Sequence, residues 1–541
     1  MKGMRPMSRL HAYWHFLSGL PDFLKKPISY GEARGTIMRR MEQRNANFLR
    51  MVRRCVYKNP GSPYLPLLRA ARCEYGDMVS TLGRHELEFL LTGLRESGVR
   101  IAFEEFKGRA PIIRNETSYP VKEEDFDNPI LHGGFELRTG GSTGRPSRML
   151  IDLEFLADRS AYEHILFRVL DLYRVPLALW YPKLPASIGL SNCLRYAKIG
   201  SPPECWFDMK LDGKALPAWH SWAFSVIVGM SRLCAFSIPW PRVAPLKDPG
   251  IVIDWIVNTV QRHGRCAVQS NVSGIVRLCR AASLRGIDLR GVQFITGSEP
   301  LTPSKHAEIE AVHARVFPRY QAVDLGSIAS GCGSPEEIDE CHLLSDAIAL
   351  ISPEGEALED GSRRLCLTSI LGRGPKVVIN VEFGDQAIIK RRRCGCPYEE
   401  LGFHTHLSRI RSAVRSTAEG TALPYAELSR ISEEILPRLF GGSTIDYQWV
   451  EDEEQDAGSL TRIWLRIAPR LGVIDEDRVL QVVLEAIGRP DGAHRFYARL
   501  WGSAQTIKVL REDPRTTPSG KTPAVMKGRD SGIALGPAGS P

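Results

Sequence analysis

The chain has 541 residues, 43% of them apolar and 25% charged, a globular composition too long for one ordinary core. Its net charge of +9 is concentrated at one end: thirteen Lys/Arg stand against three Asp/Glu between Met1 and Lys58, which leaves the rest near neutral. That argues against a nucleic-acid-binding body, which carries its basic stripe on the folded domain, and no apolar run approaches the roughly 18 residues of a membrane span.

Residues 1–58 read as basic helices, a solvated N-terminal extension whose arm is a candidate for peripheral contact with a membrane surface or an acidic partner. The first stretch has no continuous apolar run and no small-residue cleavage site, so no signal peptide is expected and the default location is cytoplasmic. "NPGSPY" at Asn59–Tyr64 punctuates, and "STLGRHELEFLLTGLRESGV" carries helical spacing. Then come Gly, Ser and Thr crowded between arginines, "RTGGSTGRPSR" at Arg138–Arg148. It is not a Walker loop, because Gly144 is followed by Arg145 and Pro146. Its glycines let backbone N–H groups turn inward, and Ser142 and Thr143 add hydroxyls, which suits an anion.

Further on, "VPLALWYP" from Val175 predicts a buried strand and "GIVIDWIVNTVQRHG" an amphipathic helix. The segment "GVQFITGSEPLTPSKHAEIEAVHARV" predicts strand, loop and helix, with Thr302 as cap and Pro303 at the first helical position. Strands alternating with helices predict α/β layers. After about Leu407 the texture changes. "DYQWVEDEEQDAGSLTRIWLRIAPRLG" reads as a hairpin and "DEDRVLQVVLEAIG" as a helix, together a small α+β C-terminal domain. The Gly/Pro/Ser-rich tail, residues 528–541, is expected to be disordered. The twelve scattered cysteines suggest reduced thiols or a metal site rather than a disulfide framework.

Three stretches follow the anion loop in order: "TGSEPLTP" at Thr296–Pro303, "NVEFGDQAII" from Asn380, and "DPRTTPSGKTP" from Asp513. With "RTGGSTGRPSR" they resemble the adenylate-forming (AMP-binding) enzyme superfamily, and within it the phenylacetate–CoA ligase-like branch. "EEDFDNPILHGGFELRTGGSTGRPSR" is similar to that branch's approach to its phosphate loop, and "LRGIDLRGVQFITGSEPLTP" to its adenine loop. The resemblance covers roughly Asn59 to Met526. It implies a large multi-layer AMP-binding domain at 59–408 and a small mobile domain at 409–527.

The activity so implied is ATP-dependent conversion of a carboxylic acid to its acyl-adenylate, with pyrophosphate release and then transfer to CoA. Transfer to an amine or a carrier protein, or nucleotide binding without catalysis, are the alternatives. Thr139, Gly140, Gly141, Ser142, Thr143 and Gly144 are expected to wrap the β- and γ-phosphates of ATP, and Gly297, Ser298, Glu299 and Pro300 to line the adenine. Asp385 is expected to accept from the ribose hydroxyls, Arg409 to support ribose or phosphate, and Lys521 to reach the acyl carboxylate and α-phosphate. Arg411 falls at the family's hinge position. The chemistry suits these residue types, because two anionic reactants need Mg2+ and a compact mobile cation.

The sequence departs from the family in "YQAVDLGSIASGC": Tyr320 is kept, Asp324 stands for the magnesium glutamate, Val323 for a threonine and Gln321 for a glycine. Finally, Cys332, His342, Cys394 and Cys396, with Cys341 as alternate, form a candidate structural Zn2+ set, and buried reduced thiols are the other reading.

Overall fold

The computed structural model describes residues 6–131, 135–138, 148–183, 186–210, 218–234, 236–352, 358, 360–412, 415–418, 421–453, 461–489, 498–499, 501–502 and 506–527. The anion loop Thr139–Gly144, the turn of the 446–472 hairpin and the tail after Lys527 lie outside them.

A 13-stranded sheet organises the larger part. In chain order its main strands are β1 (Leu177–Trp180), β2 (Cys205–Asp208), β3 (Arg242–Val243), β4 (Cys266–Asn271), β5 (Val292–Gly297) and β6 (Arg315–Ala322). Then follow β7 (Gly326–Gly331), β8 (Cys341–Leu343), β9 (Ile348–Ile351), β10 (Arg363–Ser369), β11 (Val381–Arg391) and β12 (Thr405–Ser412). They run in the order 9-10-11-12-8-7-6-5-4-1-2-3, and the short strand Ile101–Ala102 pairs with β11. The half from β3 to β6 is parallel. β1, β2 and β4 are buried at every position, as expected of parallel strands covered on both faces. From β6 onward the pairing is antiparallel. The junction of the two halves is where β5 and β6 end side by side.

Helices cover both faces. On one lie α1 (Pro6–Lys25), α2 (Tyr30–Glu42), α3 (Leu153–Leu170), α4 (Ser187–Lys198) and α5 (Ala218–Ser231), sharing one core. On the other lie α6 (Gly250–His263) and α7 (Val272–Leu284), packed on β4 and β5, followed by α8 (Pro303–Glu310). Local chemistry sets their ends. Ser29 and Glu32 form a reciprocal capping box for α2, Asp152 caps α3, and Asn271 caps α7 by accepting from Gly274 N. Left-handed Gly264 closes α6. No described helix is long and apolar enough to cross a membrane.

The structure differs from the sequence reading in four places. The basic N-terminal segment is not a free arm: Phe16, Leu17, Leu20, Phe23 and Leu24 of α1 are buried in the core shared with α3 and α4. The stretch Ser80–Val99, read as carrying helical spacing, spans parts of two helices, Tyr75–Leu82 and Leu87–Glu96, interrupted around Gly83. Thr302 makes no side-chain cap on α8, because its hydroxyl donates to Glu433 Oε2 at 2.6 Å. Finally, β12 continues through Arg411 and Ser412, paired with Gln386 and Asp385, so residues 409–412 belong to the large sheet.

The small C-terminal part has a four-stranded sheet of β13 (Tyr447–Glu453), β14 (Thr461–Ile467), β15 (Ile507–Leu510) and β16 (Val525–Lys527), in the order 15-14-13-16. Trp449, Ile463, Leu465 and Trp501 form its core with Val479 and Val483 of α9 (Glu476–Ile487). The chain is therefore α/β, a large layered body with a small α+β part at its C-terminal end.

Candidate active site

The parallel strands β4, β5 and β6 deliver their carboxyl ends to one place, where α/β sheets bind ligands. β5 ends at Gly297, in register with Arg319 of β6. A Cβ at Gly297 would lie 2.9 Å from the Arg319 carbonyl, so the close strand approach requires glycine. The next residue, Ser298, has φ +70, an uncommon conformation outside glycine. It turns Glu299 back onto the first turn of α7. There Glu299 Oε2 accepts from Ser273 N at 2.8 Å and Ser273 Oγ at 2.9 Å. The carboxylate thus sits at a helix N-terminus, where backbone N–H groups and the dipole favour it.

Its other oxygen faces the small domain. Glu299 Oε1 accepts from Thr522 N at 3.2 Å, and Thr522 N also reaches Ser273 Oγ at 3.0 Å. Arg277 Nη2 donates to Thr522 Oγ1 at 3.0 Å, and Asn271 Nδ2 to the Ser519 carbonyl at 3.3 Å. Lys521 is therefore brought to the strand ends on a tight turn, closed by Thr517 N to Lys521 O at 2.8 Å and Lys521 N to Thr517 Oγ1 at 3.1 Å. Burial pulls the Lys521 ammonium below its ordinary value, and Glu299 opposes that pull. Three more contacts hold the small domain in this position. Lys305 and Thr302 bind Glu433, with the ammonium at 2.7 Å. Glu308 accepts from Ser443 Oγ at 2.5 Å and Thr444 N at 2.9 Å. Buried Asp446 pairs with Arg280 at 3.1 Å and with Arg470.

At the end of β6, Tyr320 OH donates to Asp385 Oδ2 at 2.6 Å. Burial pushes the Asp385 carboxyl up to about 6 against the tyrosine's opposing hydrogen bond. Gln321, with its amide oxygen turned inward, accepts from Arg319 Nε at 3.2 Å and Nη2 at 3.0 Å. The departure at 321 thus has a partner in this chain. Asp324 is buried and its Oδ2 accepts from Lys107 Nζ at 2.8 Å, while Lys107 also pairs with Glu123 at 3.0 Å. A carboxylate committed to an ammonium is a poor magnesium ligand as it stands. In this arrangement the carboxylate expected to take magnesium has Lys107 as its partner. Lys107 lies more than two hundred residues upstream in an unremarkable "EEFKGR", and no local pattern signals it.

The two arginines of "LSRIRS" go to different partners. Arg409 is exposed, with φ +51, and its guanidinium goes to Glu337 at 3.2 Å. Arg411 donates from Nη1 to Asp339 Oδ2 at 2.9 Å and from Nη2 to the Leu301 carbonyl at 3.3 Å. Two residues apart, they would share one face of a regular strand, but the positive φ at Arg409 breaks the alternation, and Arg411 is the one that reaches the loop carrying Glu299. Arg411, the residue at the expected hinge position, pairs with Gln386 of β11 within the large sheet.

A second centre lies beyond β7. Cys332, His342, Cys394 and Cys396 offer ligand atoms all within 4.8 Å of one another. His342 Nε2 lies 3.1 Å from Cys396 Sγ and 3.5 Å from Cys394 Sγ. Its Nδ1 is 2.7 Å from the Phe403 carbonyl, which fixes Nδ1 as the protonated nitrogen and turns the Nε2 lone pair inward. Hydrogen bonding from Cys332 and the nearby His342 hold the Cys396 thiol far down, to about 2. Glu399 fixes the Cys394-Gly395-Cys396 turn by accepting from Cys394 N and Gly395 N, both at 2.6 Å. Three sulfurs and one imidazole nitrogen at this spacing fit tetrahedral zinc. Cys341, the alternate, points across β8, toward the Pro318 and Asp339 carbonyls.

No protein-family model matches the chain, and no curated protein matches it. Solved structures are similar to it. A 2-hydroxyisobutyryl-CoA ligase in complex with 2-HIB-AMP and CoA aligns over 90% of both chains at 14% identity, TM-score 0.44. An anthranilate CoA ligase in complex with anthranoyl-AMP aligns over 72% of this chain and 64% of its own at 10% identity, TM-score 0.41. The O-succinylbenzoate coenzyme A synthetase of Bacillus subtilis, in complex with ATP and magnesium, aligns over 72% and 68% at 12% identity, TM-score 0.40. All three scores lie below 0.5, so the functional reading rests on this chain's own residues.

Proposed function

We propose that the chain activates a carboxylic acid as its acyl-adenylate with release of pyrophosphate, and then passes the acyl group to CoA, as in the phenylacetate–CoA ligase-like branch its motifs resemble. The observation that carries this reading is the docking of the Lys521 turn on Glu299 and Ser273, where β4 and β5 end. It puts a mobile cation from the small domain beside the loop expected to hold adenine.

In this reading the substrate carboxylate attacks the α-phosphorus of ATP, the new C–O–P link forms, and the bond to pyrophosphate breaks. The Lys521 ammonium draws two anions together and stabilises the charge that builds on the α-phosphoryl oxygens. Asp385, beside Tyr320, accepts from the ribose hydroxyls. Gly297 to Pro300 line the adenine, with Arg411 rather than Arg409 bracing that loop. Thr139 to Gly144 close over the β- and γ-phosphates. Magnesium would offset charge on the phosphates, and the Asp324 carboxylate would have to leave Lys107 to hold it. Zinc, held by Cys332, His342, Cys394 and Cys396, would pin β7 and β8 and so the Asp324 turn, without chemistry of its own.

The test is ATP–pyrophosphate exchange with a panel of carboxylic acids, followed by mass spectrometry for a thioester after adding CoA. Exchange with at least one acid supports adenylation, and an adenylate that goes to an amine but not to CoA moves the acceptor. The Lys107–Asp324 pair favours a second reading, nucleotide binding without adenylation. Tight ATP binding without exchange by any acid would select it.

A further inference from the structure

Beneath the strand ends, on the face opposite Tyr320 and Asp385, lies a group of charged side chains that the proposed chemistry does not use. Glu163 of α3, Asn192 and Arg195 of α4 and Arg319 of β6 are all at least nine-tenths buried. Arg195 and Arg319 both donate to one oxygen of Glu163, Arg319 Nη2 at 2.7 Å. Arg195 also donates to Asn192 Oδ1.

The bonding is incomplete. Arg195 Nε, Arg319 Nη1, Asn192 Nδ2 and Glu163 Oε2 are buried without a partner. Three nitrogen donors are thus left over against one acceptor. Arg159, one turn before Glu163 on α3, borders the group, and its Nε has a single long contact, 3.4 Å to Ser327 Oγ. Three guanidiniums therefore face one carboxylate. Buried polar atoms are normally paired, and buried cations normally balanced. An excess of both donors and positive charge in one place is what remains when an anionic oxygen ligand is left out.

Position connects this group to the candidate active site. Arg319 lies in register with Gly297, where the loop of Glu299 begins, and adjoins Tyr320. Arg159 also lines a cavity with Phe155, Tyr162, Ser327 and Asp324. Arg159 thus stands between that cavity and the Glu163 group.

Resting on the acid-activating function proposed above, we infer that the acyl substrate carries a second anionic group, and that Arg159, Arg195 and Arg319 bind it: the substrate class is a dicarboxylic acid. One carboxylate goes to the Lys521 side to react. The other accepts from the guanidiniums and the Asn192 amide, with Glu163 fixing the arginines. Bidentate arginine–carboxylate bonds then pair the left-over donors.

The experiment is isothermal titration calorimetry on the full chain with matched pairs: succinate against butyrate, adipate against hexanoate, isophthalate against benzoate. At least one diacid is expected to bind about 10- to 100-fold more tightly than its monoacid, because the monoacid leaves the buried donors unpaired. Arg159→Gln, at a partly exposed position, is expected to narrow that ratio while keeping the wild-type melting temperature. Arg319→Gln is expected to abolish the ratio in whatever fraction folds. Equal or tighter binding of every monoacid, or no binding by any diacid, overturns the inference. Exchange is read separately. Monoacids that support exchange where diacids do not sink the inference and leave the proposed function standing. Diacids that bind selectively without exchange do the reverse.

Discussion

Ser273→Ala tests the docking of the Lys521 turn with one atom. The hydroxyl donates to Glu299 Oε2 at 2.9 Å and accepts from Thr522 N at 3.0 Å. Its removal leaves Thr522 N with Glu299 Oε1 at 3.2 Å and leaves Ser273 N on Oε2. Two hydrogen bonds are lost, but only the one from Thr522 N to the neutral hydroxyl crosses the docking contact, about 0.5–1.5 kcal/mol. At about 1.4 kcal/mol per tenfold, the docked arrangement becomes roughly 2- to 12-fold less favourable. If Lys521 acts only when docked, ATP–pyrophosphate exchange falls within that range. Thioester formation from supplied acyl-adenylate and CoA, which does not need this arrangement, is unchanged or faster. The melting temperature barely moves, because Asn271 still caps α7. Equal loss in both half-reactions, or exchange at the wild-type rate, would refute the coupling of the Ser273–Glu299–Thr522 contacts to adenylation.

Three further outcomes follow from the same geometry. Lys521→Ala is expected to cripple exchange yet leave thioester formation from supplied acyl-adenylate largely intact, and equal loss in both contradicts a role confined to the first step. Purified protein is expected to contain about one equivalent of zinc. Cys396→Ser should lose it and melt several degrees lower, whereas less than about a tenth of an equivalent in the wild type removes the metal reading. Asp385 gives a pH signature. Its carboxyl is raised from 3.8 to about 6 by burial, so the folded state holds the proton more tightly than the unfolded one. That contribution to stability is fully present below the unfolded value and is lost as pH rises through about 6, on the order of 3 kcal/mol in all. Asp385→Asn should flatten the difference in denaturant stability between about pH 4 and pH 7, and an unchanged profile would show that Asp385 is ionised throughout.

Parts of this arrangement are legible in the sequence because they are local. The strand-loop-helix around "ITGSEPLTP" follows from its apolar run, its small residues and Pro303. The Cys394-Gly395-Cys396 spacing, with a histidine and a cysteine upstream, singles out four residues that the fold brings together. Tyr320 and Asp385 are identifiable by resemblance, and the structure pairs them. What the sequence does not disclose is long-range partnership. Lys107 meets Asp324 only because the segment around it packs against the β6–β7 turn. Gln321 looks like a loss until Arg319 is seen beside it. Arg409 and Arg411 are two residues apart, so which one turns toward Leu301 depends on the backbone at 409, where φ is positive. The N-terminal helices look solvated from their net charge, yet α1 places its phenylalanines and leucines at intervals that a neighbouring helix face completes.

The central claim is that the Lys521 turn and the strand ends form one site that joins a carboxylic acid to AMP. ATP–pyrophosphate exchange, run with wild-type protein and Lys521→Ala across mono- and dicarboxylic acids, tests it most directly. The account predicts acid-dependent exchange that the substitution removes. Folded, ATP-binding protein that exchanges with no acid, or that exchanges equally well without Lys521, would contradict it.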